Sequence, residues 1–200
     1  MEYPKFYDNV EPFKLQDDLA AFLGATKDGE IQIDYIDCVK LAGHSCPTVA
    51  GSYILAKVAL SKLYGEEMPK RSQVKIEFKD AKEHQVTGVI GSVLSFILGS
   101  NDSGGFAGIG GKFNRKNLLS YGNSDINGMV RFTRIDNNES ITLNLNTSIV
   151  PGDPNMQPLM QKTLMGQASK DEAEQFAKLW QARVEYMLLK PELWEEIAGI

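Results

Sequence analysis

Apolar positions along the chain recur with two periods, and the alternation between them sets out most of the elements. "DDLAAFLGAT" (residues 17–26) has helical apolar spacing and a stop at Gly24, and "IQIDYI" (31–36) then alternates Ile31, Ile33 and Tyr35 against Gln32 and Asp34. A helix followed by a half-buried strand ending near Ile36 is predicted. "TVAGSYILAKVALSKLYG" (48–65) is apolar around most of its circumference and ends at Gly65, which predicts a helix buried in the middle of the molecule. "QVKIEFK" (73–79) alternates Val74, Ile76 and Phe78 with charged residues, and "MVRFTRI" and "SITLNLNTS" alternate too, joined by the polar turn "DNNE" into an antiparallel hairpin. "VTGVIGSVLSFILG" (86–99) fits either period, and its length favours a helix.

Toward the end, "SKDEAEQFAKLWQARVEYMLLK" opens with Ser169 three residues before Glu172, a capping box, and Pro191 stops it. The preceding "NMQPLMQKTLMGQ" places Met156, Leu159, Met160 and Leu164 on a pliable apolar face that suits the core or a second subunit. Helices at both ends around antiparallel strands predict an α+β fold, with an antiparallel or mixed sheet packed against helices. No repeat or linker divides the 200 residues, so one domain is expected over 1–200, with a helical C-terminal extension over about 153–200.

Charge and composition then exclude partners. The net charge of −5 comes with scattered Lys and Arg, whereas nucleic acid requires a basic stripe, so no nucleic-acid partner is expected. No apolar run reaches the roughly 20 residues that span a bilayer, and the N-terminus has no signal-peptide pattern, so no membrane partner and a cytoplasmic location are expected. Cys38 and Cys46, the two cysteines, read as thiols rather than a disulfide framework.

Candidate chemistry gathers at "AGHSCPTVAG" (42–51), where one of the two histidines precedes one of the two cysteines by two residues. Pro47 suits the first position of a helix, which puts Cys46 at the N-cap, where free N–H groups and the helix dipole favour a thiolate. His44 is placed to share one side with Cys46, so the pair are candidate catalytic groups or ligands of zinc or another divalent transition metal. His84 in "KDAKEHQVTG" would complete an open three-ligand site, with Asp37, Asp80 or Glu83 as substitutes. Equally open is a bland reading: Cys46 as a small apolar residue, His44 as a cap on a carbonyl and His84 as a solvated surface residue.

"GSNDSGGFAGIGGKFNRKNLLSYGN" (99–123) holds seven glycines with Lys112, Arg115 and Lys116. The phosphate loop of nucleotide-binding proteins is rejected, because Phe106 and Phe113 stand where that pattern needs Gly and Ser or Thr. What remains is a lid or a tightly turned backbone beside a site, with Lys112 or Arg115 on a carboxylate or phosphate, or else a solvated loop.

"GHSCP", the later Thr87-Gly88, Gly111-Lys112, "NLL" from Asn117 and Tyr121-Gly122 together resemble the FmdE family, named after a subunit encoded with formylmethanofuran dehydrogenase, over roughly residues 35–135. That resemblance implies an α+β core, an intertwined homodimer, and a metal-associated pocket at His44 and Cys46, with Lys112 and Asn117 as further matched positions. It brings no settled reaction. Val89 stands where the family has a second cysteine, and no cysteine follows Cys46, so the family's C-terminal zinc finger is absent. The readings carried forward are three. The first is a metal-binding enzyme or accessory protein for a small anionic ligand, using Lys112, Arg115 and Asn117. The second is metal-free thiolate chemistry or haem ligation at His44 and Cys46. The third is a non-catalytic dimeric interaction module. The expected site has the 99–117 loop covering His44 and Cys46.

Overall fold

In a computed structural model that describes residues 2–200, the chain opens with a 3-10 turn, Lys5–Asn9, and strand β1, Phe13–Gln16. Helix α1, Asp18–Phe22, follows at once because Asp17 caps it, accepting from the Leu19 and Ala20 amides at 3.1 Å each. Strand β2, Glu30–Ile33, returns antiparallel along β1, with Phe13 opposite Ile33 and Gln16 opposite Glu30. The strand expected to run to Ile36 stops at Ile33. Asp34 is the N-cap of helix α2, Tyr35–Ala42, and its own amide donates to the Asp37 carboxylate at 3.1 Å, so a helix stands where the alternation suggested continued strand.

Helix α3, Pro47–Tyr64, comes next, and 14 of its 18 residues are buried, as an all-round apolar sequence requires. It is followed by β3 (Val74–Phe78), α4 (Thr87–Leu98), the short β4 (Leu119–Ser120), β5 (Val130–Arg134) and β6 (Ser140–Leu143). These strands form one mixed sheet in the order β4-β3-β5-β6, parallel between β3 and β4 and antiparallel elsewhere, with Val130 opposite both Phe78 and Leu143. The fold is α+β. Three helices complete it: α5 (Met156–Leu164), α6 (Lys170–Leu188, with the Ser169/Glu172 capping box) and α7 (Trp194–Ile197).

One core joins these layers. Ile76, Phe78, Val130, Phe132 and Leu143 from the sheet meet Tyr53, Ile54 and Leu55 of α3, Leu94 and Ile97 of α4, and Val184, Met187 and Ile197 from the C-terminal helices. The C-terminal helices therefore close the core that α3 runs through. Met156 and Leu159 of α5 are buried, while Leu164 and Met165 at its end are exposed. No helix among the described residues is long and apolar enough to cross a membrane.

Candidate functional site

The connection that carries His44 and Cys46 runs from helix to helix. Gly43 ends α2 in the left-handed region at φ 75°, its amide donating to Val39 O at 2.8 Å. Cys46 is the N-cap of α3 and Pro47 its first residue; the half-buried Sγ accepts from the Val49 amide at 3.4 Å. Between them Ser45 is buried and bonded on both sides. Its hydroxyl lies 2.9 Å from the Tyr35 hydroxyl, and its carbonyl accepts from Trp180 Nε1 at 3.0 Å and Gln181 Nε2 at 3.2 Å. Helix α6 thus pins this turn, where the glycine-rich loop was expected to cover it.

His44 is exposed, and its Nδ1 lies 2.9 Å from the Ala42 carbonyl. Cys38, in contrast, is fully buried in α2, and burial pushes its thiol up to about 12. Among the free cysteines, Cys46 is the accessible one.

His84 makes its contact with Asp80: its Nδ1 lies 3.2 Å from the carboxylate, with both side chains about half exposed. Among the described residues no three His, Cys, Asp or Glu side chains converge on a point that could hold a metal ion. The set His44, Cys46 and His84 is therefore not assembled within one chain, which falls short of the three or four protein ligands zinc takes. His44 and Cys46 line neither the cleft beside α1 nor the one beside β1.

The second candidate, the glycine-rich segment, folds back on itself as a hairpin. Ile109 and Lys112 exchange both backbone bonds, at 2.9 and 3.0 Å, around Gly110 and Gly111, whose φ values of 55° and 78° are those of the tight turn that a two-residue hairpin takes. The base of the loop is closed by Asn101 donating to Arg115 O at 2.8 Å and Arg115 to Phe106 O at 2.8 Å. At Gly108, φ 90°, a Cβ would strike the Lys112 carbonyl, so the turn needs glycine there.

This hairpin lies against α1. The Phe22 and Phe113 rings stack at 5.1 Å, and Arg115 Nη2 donates to both carboxylate oxygens of Asp17 at 2.7 Å. Arg71 Nη1 reaches the same carboxylate at 3.1 Å, while its Nε and Nη2 donate to the Ile97 and Phe96 carbonyls that end α4. The Asp17 side chain is only 3% exposed, so one buried carboxylate fastens the start of α1, the end of α4 and the loop together.

Around this junction opens a cleft of about 480 Å³, lined by Asp17, Arg71, Lys112, Phe113 and Arg115 among others. Three positive side chains, Arg71, Arg115 and Lys112, face the two negative ones, Asp17 and Asp18, so the cleft has a cationic surplus. Arg71 donates from all three of its side-chain nitrogens. Arg115 does not: among the described residues its side-chain bonds leave from Nη2 alone, so Nε and Nη1 retain their donors. Lys112 is exposed on the same wall.

Of the expected ligand-binding residues, Lys112 and Arg115 share this cleft and Asn117 does not line it. Asn117 instead takes a left-handed turn at φ 60°, its amide donating to Asp102 O at 3.0 Å, a backbone role asparagine tolerates well. Asp17 and Arg71 carried no sign of a site in the sequence beyond the N-cap pattern of "DDL". Compared with known proteins, the chain matches no family model, no curated protein and no solved structure, so the reading of this cleft rests on its own geometry.

Proposed function

We propose that the protein binds a small oxyanion, a carboxylate or phosphate group, in the cleft between α1 and the glycine-rich hairpin. The observation that carries this reading is Arg115, whose guanidinium is held in place by buried Asp17 yet keeps Nε and Nη1 unused on a wall shared with Lys112. A fork fixed at one end is already oriented for an anion, which lowers the entropy lost on binding. The test is calorimetric titration with succinate and with inorganic phosphate at low ionic strength. Wild type should bind at least one of them, and Lys112→Ala should bind about tenfold more weakly, the factor for one charge-assisted contact. Absence of binding by wild type, or equal binding by Lys112→Ala, would overturn the reading.

A second reading is favoured by His44. Metal-ligating histidines commonly give their other ring N–H to a backbone carbonyl, and His44 Nδ1 lies 2.9 Å from Ala42 O. With Cys46 beside it, this turn supplies two ligands, and a second copy of the chain in a homodimer would supply the other two. Zinc bound at one ion per two chains and lost in Cys46→Ser would support it; native protein purified free of metal would refute it.

A further inference from the structure

A cleft of about 670 Å³ opens between β1, the C-terminal half of α3 and the start of α7. Phe13, Leu15, Val58, Leu60 and Trp194 give it an apolar wall. Lys57 lies on that wall with its side chain only 13% exposed. Its Nζ sits 4.6 Å from the centre of the Phe13 ring and donates to the Pro12 carbonyl at 2.9 Å.

What this ammonium lacks is a contact carboxylate. The nearest acid, Glu11, is 3.9 Å away, beyond hydrogen-bond distance, and 78% exposed to screening water. The other acids of the cleft already have partners: Glu195 pairs with Lys62 of the same lining at 2.5 Å and Glu67 with Arg134 at 3.2 Å. Lys14, the remaining cation of the lining, is exposed. Burial accordingly lowers the Lys57 pKa below the ordinary lysine range, with Glu11 opposing only in part. A buried cation with no close counter-ion on an apolar wall is a demand that a ligand can meet.

We propose that this cleft binds a monocarboxylate with an apolar body, its carboxylate on Lys57 Nζ and its body along Phe13, Leu15 and Trp194. The two kinds of contact divide the recognition: the charge-assisted hydrogen bond selects the head group, and the apolar wall selects a linear or aromatic body over a compact polar one. The site is separate from the oxyanion cleft and does not depend on it.

Titration calorimetry of the full chain with octanoate, octanol and octylamine tests this. Octanoate should bind about tenfold more tightly than octanol, and octylamine more weakly than both. Lys57→Met keeps the apolar stem while removing the charge; it should bring octanoate down to the octanol level and leave octanol unchanged. Lys112→Ala, which removes the lysine of the oxyanion cleft, should keep an octanoate site that Lys57→Met loses. The proposal fails if octanoate does not bind, if it binds no better than octanol, if Lys57→Met binds it as wild type does, or if Lys112→Ala abolishes binding and so assigns the carboxylate to the other cleft.

Discussion

The two large clefts hold positive charge in opposite ways. In one, the Arg71 and Arg115 guanidinium groups share the buried Asp17 carboxylate, and the charge is part of the framework. In the other, the Lys57 ammonium is nearly as buried but meets a carbonyl and an aromatic ring, with no carboxylate in contact. Buried charge that is paired fastens elements together, and its removal strands the partner. Buried charge that is unpaired weighs against the fold until something binds it. The difference separates an anchor that carries a surplus donor from a group whose partner must come from outside.

The largest expected effect lies at the anchor. Asp17→Ala leaves two guanidinium groups without their carboxylate and removes the α1 cap, so urea unfolding should show a loss of about 3–5 kcal/mol. A loss below about 1 kcal/mol would mean that the arginines do not depend on it. Next comes the hairpin that presents Lys112 and Arg115. Gly108→Ala puts a Cβ on the Lys112 carbonyl at a φ of 90°, and should cost about 1–3 kcal/mol by the same measurement. Wild-type stability in that variant would show that the turn relaxes freely.

Lys57→Met should behave in the contrary sense to Asp17→Ala, leaving stability at neutral pH within about 1 kcal/mol of wild type or above it. Its pH dependence is the sharper test. The folded-state pKa of Lys57 lies below its unfolded value, near the ordinary 10.5, so between the two the unfolded chain binds more protons. Wild-type stability relative to Lys57→Met should therefore rise as pH climbs through that window. A stability difference that stays flat with pH would place Lys57 with the solvated lysines and erase the contrast between the clefts.

Much of this framework could be read from local pattern, and the contacts that matter most could not. The all-round apolar α3, the alternation of β3, β5 and β6, and the Ser169/Glu172 box each express a period or a cap within a few residues. Helix α2 was hidden because Tyr35 prolongs the alternation of β2, and its cap uses Asp34 and Asp37 in place of the usual Ser and Glu. The Cys46 cap followed from Pro47, whereas what covers that turn, Trp180 and Gln181, lies 135 and 136 residues away from the Ser45 they hold. Likewise the tight turn at Gly110 and Gly111 is local, but Arg115 meets Asp17 across 98 residues, a pairing that no spacing in the chain announces. Lys57 left a legible trace as the one charge inside "ILAKVAL", yet only the fold shows which wall it joins.

The oxyanion cleft is tested most directly by locating an anion that can be seen by its own scattering. Crystals of the protein soaked in selenate should give an anomalous selenium peak between Lys112 Nζ and the free Nε and Nη1 of Arg115, and that peak should vanish in Lys112→Ala crystals treated alike. Selenium peaks confined to other surfaces, or an undiminished peak in Lys112→Ala, would contradict the assignment.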